Sequence, residues 1–131
     1  MRASTVEAGA RAVLAAGLAG LVLGWATAGL GHAVLVRSAP ARRAVLSRPP
    51  ARVQLWFNER LEPTFSRVSV WNDRGAQVDD RDARVDPADA AQLSVGVSRL
   101  PPGRYTVKFR VLSVDGHAVE SEFAFTVRRA E

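Results

Sequence analysis

Two long runs that alternate like strands close the chain, and they constrain its fold most. Tyr105, Val107, Phe109 and Val111 share one parity, with Thr106, Lys108 and Arg110 on the other. After the break Ser113-Val114-Asp115-Gly116-His117, the run from Ala118 to Val127 places Phe123, Phe125 and Val127 on one face. A period of two belongs to a β-strand with one wet and one dry face. The dry faces call for a two-layer core, and the rest of the chain is read as the scaffold that supplies it.

Upstream, the same reasoning gives shorter strands. Ala33-Val34-Leu35-Val36 is read as a first strand, ended by a turn at Arg37-Ser38-Ala39-Pro40. Ala44-Val45-Leu46 is a short apolar piece. In Val53-Gln54-Leu55-Trp56-Phe57, Val53, Leu55 and Phe57 face one way. Asn58 to Thr64, with Pro63, is read as a loop. Phe65 to Trp71 is a strand with Val68 and Val70 inward. Asn72-Asp73-Arg74-Gly75 is a turn, and Ala76-Gln77-Val78 returns as its hairpin partner. Leu93 to Val97 alternates as another strand, and Leu100-Pro101-Pro102-Gly103 turns the chain. From Asp79 to Asp89 the chain is polar and is read as a solvated loop. A calcium loop fails there, because Arg84 stands where a third alternate oxygen ligand belongs and no glycine follows it. No convincing amphipathic helix interrupts the series. About seven strands with frequent turns predict an all-β fold, a Greek-key β-sandwich or barrel.

The N-terminus has a different character. Arg2 and Arg11 stand against Glu7, and Ala12 to Val36 holds no Lys, Arg, Asp or Glu. A basic start, an apolar run and then small residues describe a secretory signal peptide. An uncleaved anchor is the alternative, since about 20 apolar residues span a bilayer. Ala26-Thr27-Ala28 fits the A-x-A rule and would leave Gly29 first. Gly29-Leu30-Gly31 also has small residues at both positions and would leave His32 first. The expected organisation is a signal peptide over 1–31 and a single domain over 32–131. Only four residues follow Val127, so no further domain or anchor is expected.

Without any cysteine, an exported domain has to hold itself by packing. Zinc or blue-copper centres built on cysteine are also excluded. Met1 is the only methionine, so the exported part has no thioether for Cu(I). The net charge is +5, and 17 of the 18 basic residues are scattered arginines. Nucleic-acid binding calls for clustered bases with interleaved aromatics, and none is expected here. There is no nucleophile elbow, phosphate loop or nucleotide-binding glycine pattern.

The chain has two histidines, His32 and His117. Asp115 and His117 are two apart, which in extended chain puts both side chains on one face. The same D-G pair is a common hairpin signal. On that reading Asp115-Gly116 only turns the chain, and His117 is an exposed loop residue. His32 adds to the first reading if cleavage makes it residue one. Its amine and its own ring would then chelate a single ion once the amine has lost its proton. Two imidazoles, an amine and a carboxylate form an N,O set suited to Cu(II), with Zn(II) the main competitor.

At this point the sequence resembles the CopC family of periplasmic copper-binding proteins. The matching pieces are H-A-V-L-V-R-S-A-P-A at 32–41, V-Q-L-W-F-N-E-R-L-E at 53–62, F-S-R-V-S-V at 65–70, L-P-P-G-R-Y-T-V at 100–107 and R-V-L-S-V-D-G-H at 110–117. The opening H-A-x-L with S-x-P-A, and the S-x-D-G-H, are specific. The resemblance implies an Ig-like or cupredoxin-like β-sandwich that binds Cu(II) outside the cytoplasmic membrane. Its implied ligands are His32 through amine and ring, Asp115 and His117. Glu59 matches a glutamate that some members place near copper. The implied role is a non-enzymatic, monomeric carrier or buffer in copper homeostasis or resistance, served by a separate membrane copper transporter of the CopD type. A histidine-brace copper oxidative enzyme and a metal-free Ig-like interaction module are the alternatives. Asp115 argues against the first, because it would fill a position that oxygen chemistry needs open.

Overall fold

A computed structural model describes residues 33–130. The expected signal peptide, its cleavage point and His32 lie outside the described residues. Eight strands follow in order: β1 (Leu35–Ala39), β2 (Val45–Leu46), β3 (Arg52–Phe57), β4 (Arg67–Asn72), β5 (Arg84–Asp86), β6 (Asp89–Gly96), β7 (Gly103–Leu112) and β8 (Ala118–Val127). A single 3-10 turn, Pro63–Phe65, is the only helical element among the described residues. The strands form two sheets of four, ordered β1-β3-β6-β5 and β2-β8-β7-β4. The fold is therefore all-β, a sandwich of two sheets.

Alternation does the building. Val53, Leu55 and Phe57 of β3 are buried, as are Tyr105, Val107, Phe109 and Val111 of β7 and Phe123, Phe125 and Val127 of β8. Val68 and Val70 of β4 point inward, and Phe65 is exposed. A buried valine pair outweighs the aromatics at the ends of that run, because parity lets only one set face the core. Phe57 and Phe109, from opposite sheets, meet edge to face with ring centroids 5.5 Å apart. Strands β7 and β8 pair over ten residues, from Gly103↔Val127 to Leu112↔Ala118, and so present the Ser113–His117 link at one end of the sandwich.

Several local expectations are corrected. The first strand runs through Arg37 and Ser38 to Ala39, where a turn was expected, because backbone pairing with β3 carries it past Val36. Arg37 sits over Trp56, its guanidinium carbon 3.9 Å from the ring centre. The return of the Asn72–Gly75 turn is not a full strand. It is held by one bridge, Trp71↔Gln77, and a Val78 N–H bond to the Val70 carbonyl of 2.8 Å. The polar stretch after it is no mere solvated loop. Asp79 is buried and accepts from the Val70 and Arg81 amides at 2.9 Å each. Arg84–Asp86 forms β5 on the edge of β6. Strand β6 is buried on both faces from Gln92 onward. It lies inside its sheet, with Arg52 bonded to Ser94 and Asp82 to the Gly96 amide on its outer side.

Candidate metal centre

The link between β7 and β8 is a tight turn. The Gly116 amide donates to the Ser113 carbonyl at 2.9 Å, and the Ser113 amide donates to the His117 carbonyl at 3.0 Å. Gly116 sits at φ +96°, a conformation that glycine adopts without penalty and other residues rarely do. This corrects the expectation that extended spacing aligns Asp115 with His117. The turn itself folds the two side chains together, so the hairpin role of D-G and the pairing of Asp115 with His117 are one geometry.

His117 Nδ1 lies 3.3 Å from Asp115 Oδ1, and the His117 amide donates to that same oxygen at 3.3 Å. The Ser113 hydroxyl also donates to Asp115 Oδ1. These contacts hold the Asp115 carboxyl below its ordinary range: the Ser113 hydroxyl contributes most, desolvation opposes it, and His117 adds further lowering. Asp115 Oδ1 thus receives the Ser113 hydroxyl and the His117 amide and faces His117 Nδ1. The side chains of His117 and Asp115 are 48% and 35% exposed, open enough for an ion to enter and leave.

The turn is held from below by the segment after β3. The Val114 amide donates to the Arg60 carbonyl at 3.0 Å, Leu61 bridges to Ser113, and the Glu62 amide donates to the Leu112 carbonyl at 2.8 Å. The same segment holds the start of the domain. Val34 and Asn58 exchange hydrogen bonds, the Val34 amide to Asn58 Oδ1 at 2.6 Å and the Asn58 amide to the Val34 carbonyl at 3.1 Å. Ala33 is buried, at 2% exposure. Residues 58–62 thus tie the first described residues and the Asp115–His117 turn to one short piece of backbone.

Asp115 and His117 are brought together. Among the described residues no group of three or more His, Cys, Asp or Glu converges. The third expected ligand, His32, is outside them, joined covalently to Ala33. Glu59 is half-buried within the tie. Sequence reasoning assigned no role to Ser113, although its parity with Asp115 and His117 was the available signal. Nothing local in the sequence pointed to Asn58.

The profile of the CopC domain matches residues 35–128. The chain is 33% identical over 98 residues to the protein YobA of Escherichia coli strain K12, covering 74% of this chain and 79% of that one. It is 30% identical over 116 residues to an Escherichia coli protein named copper resistance protein C, covering 83% and 91%. A protein named copper transport protein CutJ, from Bacillus subtilis strain 168, is 30% identical over 101 residues; the match takes in 76% of this chain but only 19% of that longer protein. Among solved structures, CopC from Methylosinus trichosporium OB3b superposes with a TM-score of 0.71 at 35% identity, covering 76% of this chain and 97% of that one. PcoC, described as a methionine-rich copper resistance protein from Escherichia coli, gives 0.62 at 29% identity, covering 74% and 99%.

Proposed function

The chain belongs to the CopC family, and from that premise we propose that it is a periplasmic Cu(II)-binding carrier or buffer in copper homeostasis or resistance. Residues 1–31 are a signal peptide that is removed, and 32–131 are the working domain. Copper is the cargo. The ligands are His32, through its amine and imidazole, Asp115 and His117. Relatives named for copper resistance and copper transport support copper as the metal. Support for Cu(II) comes from the donor set, which is nitrogen and oxygen with no thiolate, and from the absence of any methionine after Met1. The protein is a carrier without turnover, and it passes its ion to a membrane copper transporter of the CopD type.

One observation carries this reading: residues 58–62 bind both Val34, two residues past His32, and the turn that holds Asp115 and His117. A terminus starting at His32 then has only Ala33 between it and an anchored backbone. Binding requires the amine and both rings to be unprotonated. Uptake is favoured at neutral pH, and acidification returns the ion to solution.

The test is Cu(II) titration against a competing chelator, using exported protein whose terminus has been sequenced. His117→Ala and Asp115→Ala should each weaken binding by more than the roughly 10–100-fold typical of losing an outer partner of a metal ligand, with circular dichroism unchanged. Equal affinity in both variants removes these residues as ligands. One extra residue ahead of His32 should also weaken binding, since it displaces the amine. Mature protein that begins at Gly29 and binds as tightly would overturn the role of the terminus.

A further inference from the structure

We propose that Asn58 is a positioning residue for the copper site: its side chain fixes where the exported chain begins relative to the Asp115–His117 turn. This rests on the ligand set proposed above and adds to it a residue that donates nothing to the ion. Strands β1 and β3 are antiparallel, with Leu35 opposite Phe57. The next rung toward the terminus pairs Val34 with Asn58, outside both strands. Half of that rung is ordinary, the Asn58 amide donating to the Val34 carbonyl at 3.1 Å. The other half is not. The Val34 amide donates to Asn58 Oδ1 at 2.6 Å, so a side-chain oxygen stands where an antiparallel ladder uses a main-chain carbonyl.

The reason lies in what the backbone does next. Beyond Asn58 the chain leaves the sheet and runs under the turn, where the Arg60 carbonyl receives the Val114 amide and Leu61 bridges to Ser113. A single residue therefore lets the backbone turn toward Asp115 and His117 while its side chain still closes the last rung to the N-terminal arm. Packing cannot do this job for Val34, whose side chain is 52% exposed. Without the Oδ1 bond, Val34 keeps only its carbonyl bond to the Asn58 amide, and the burial of Ala33 is left as the other hold on the start of the domain. A terminal amine displaced by even an ångström loses its place among ligands fixed by a rigid turn, because positioning of a donor is what a chelate site depends on.

The experiment is a cycle of four exported proteins, each with its terminus verified by sequencing: the natural form, Asn58→Ala, the form with one extra residue before His32, and that form with Asn58→Ala. Cu(II) affinity and the copper electron paramagnetic resonance spectrum are read for each, with thermal melting as a check on folding. In the natural form Asn58→Ala should weaken binding about tenfold, the lower end of the effect of outer partners on metal affinity, and its spectrum should shift toward that of the extended form. With the extra residue present the amine is already displaced, so Asn58→Ala should change affinity less than twofold. An equal loss in both backgrounds, or no loss in either, overturns the positioning role while leaving the ligands intact. If the natural form binds no copper, or is indifferent to the extra residue, the ligand assignment itself fails, and the positioning role falls with it.

Discussion

Ser113 has no exposed surface, and its hydroxyl lies against both Asp115 Oδ1 and the His117 carbonyl. The bond to Asp115 is the largest of the influences that lower the Asp115 carboxyl from its ordinary value of 3.8. The sign matters for how the site behaves in acid. A carboxylate held low stabilises the folded turn at every pH above its ordinary range, and the contribution is lost only as pH falls through the lowered folded value. Ser113→Ala should move the Asp115 titration upward, read by carbon-13 NMR of the metal-free protein. An unmoved titration would mean that the hydroxyl has no hold on the carboxylate. At this scale the sequence was half legible. Asp115 and His117 stood out by chemistry, whereas Ser113 is so common a residue type that only its buried position marks it.

The β7–β8 hairpin is the element that brings Asp115 and His117 within 3.3 Å of each other. Gly116 at φ +96° lets the chain reverse within the space of Asp115 and His117, and a Cβ added there would meet nothing within 4 Å. The cost of Gly116→Ala is therefore conformational, about 1–2 kcal/mol for a side chain forced into the left-handed region. Melting should fall by several degrees, and Cu(II) binding should weaken along with it, because the turn relaxes toward a geometry that separates the two side chains. A variant with unchanged melting and affinity would show that the turn does not need glycine. The D-G pair announced a turn in the sequence. It did not announce that the turn, rather than an extended strand, brings Asp115 and His117 together, because two-residue spacing serves either geometry.

Across the whole molecule, stability rests on the layer between the sheets, since no cysteine is present to cross-link it. Leu55, fully buried in β3, is the sharpest place to test this. Leu55→Ala should cost about 2–5 kcal/mol through lost transfer and an unfilled cavity, lowering the melting temperature by about 10 °C or more in a domain of this size. A much smaller fall would place the stability elsewhere. The alternation of Tyr105 to Val111 and of Phe123 to Val127 told by itself which side chains go inside, because strand parity is local and a core accepts only one face of a strand. Everything that depended on which backbone meets which was decided by the tertiary structure. Strand β2 runs parallel to β8, Asp79 turns inward to cap the Val70 amide, and Arg37 to Ala39 join a sheet. The joining of Val34 to Asn58, 24 residues apart, is of the same kind. Every residue but proline carries a main-chain N–H donor, so which of them a distant strand or side chain will meet leaves no pattern that a linear reading could find.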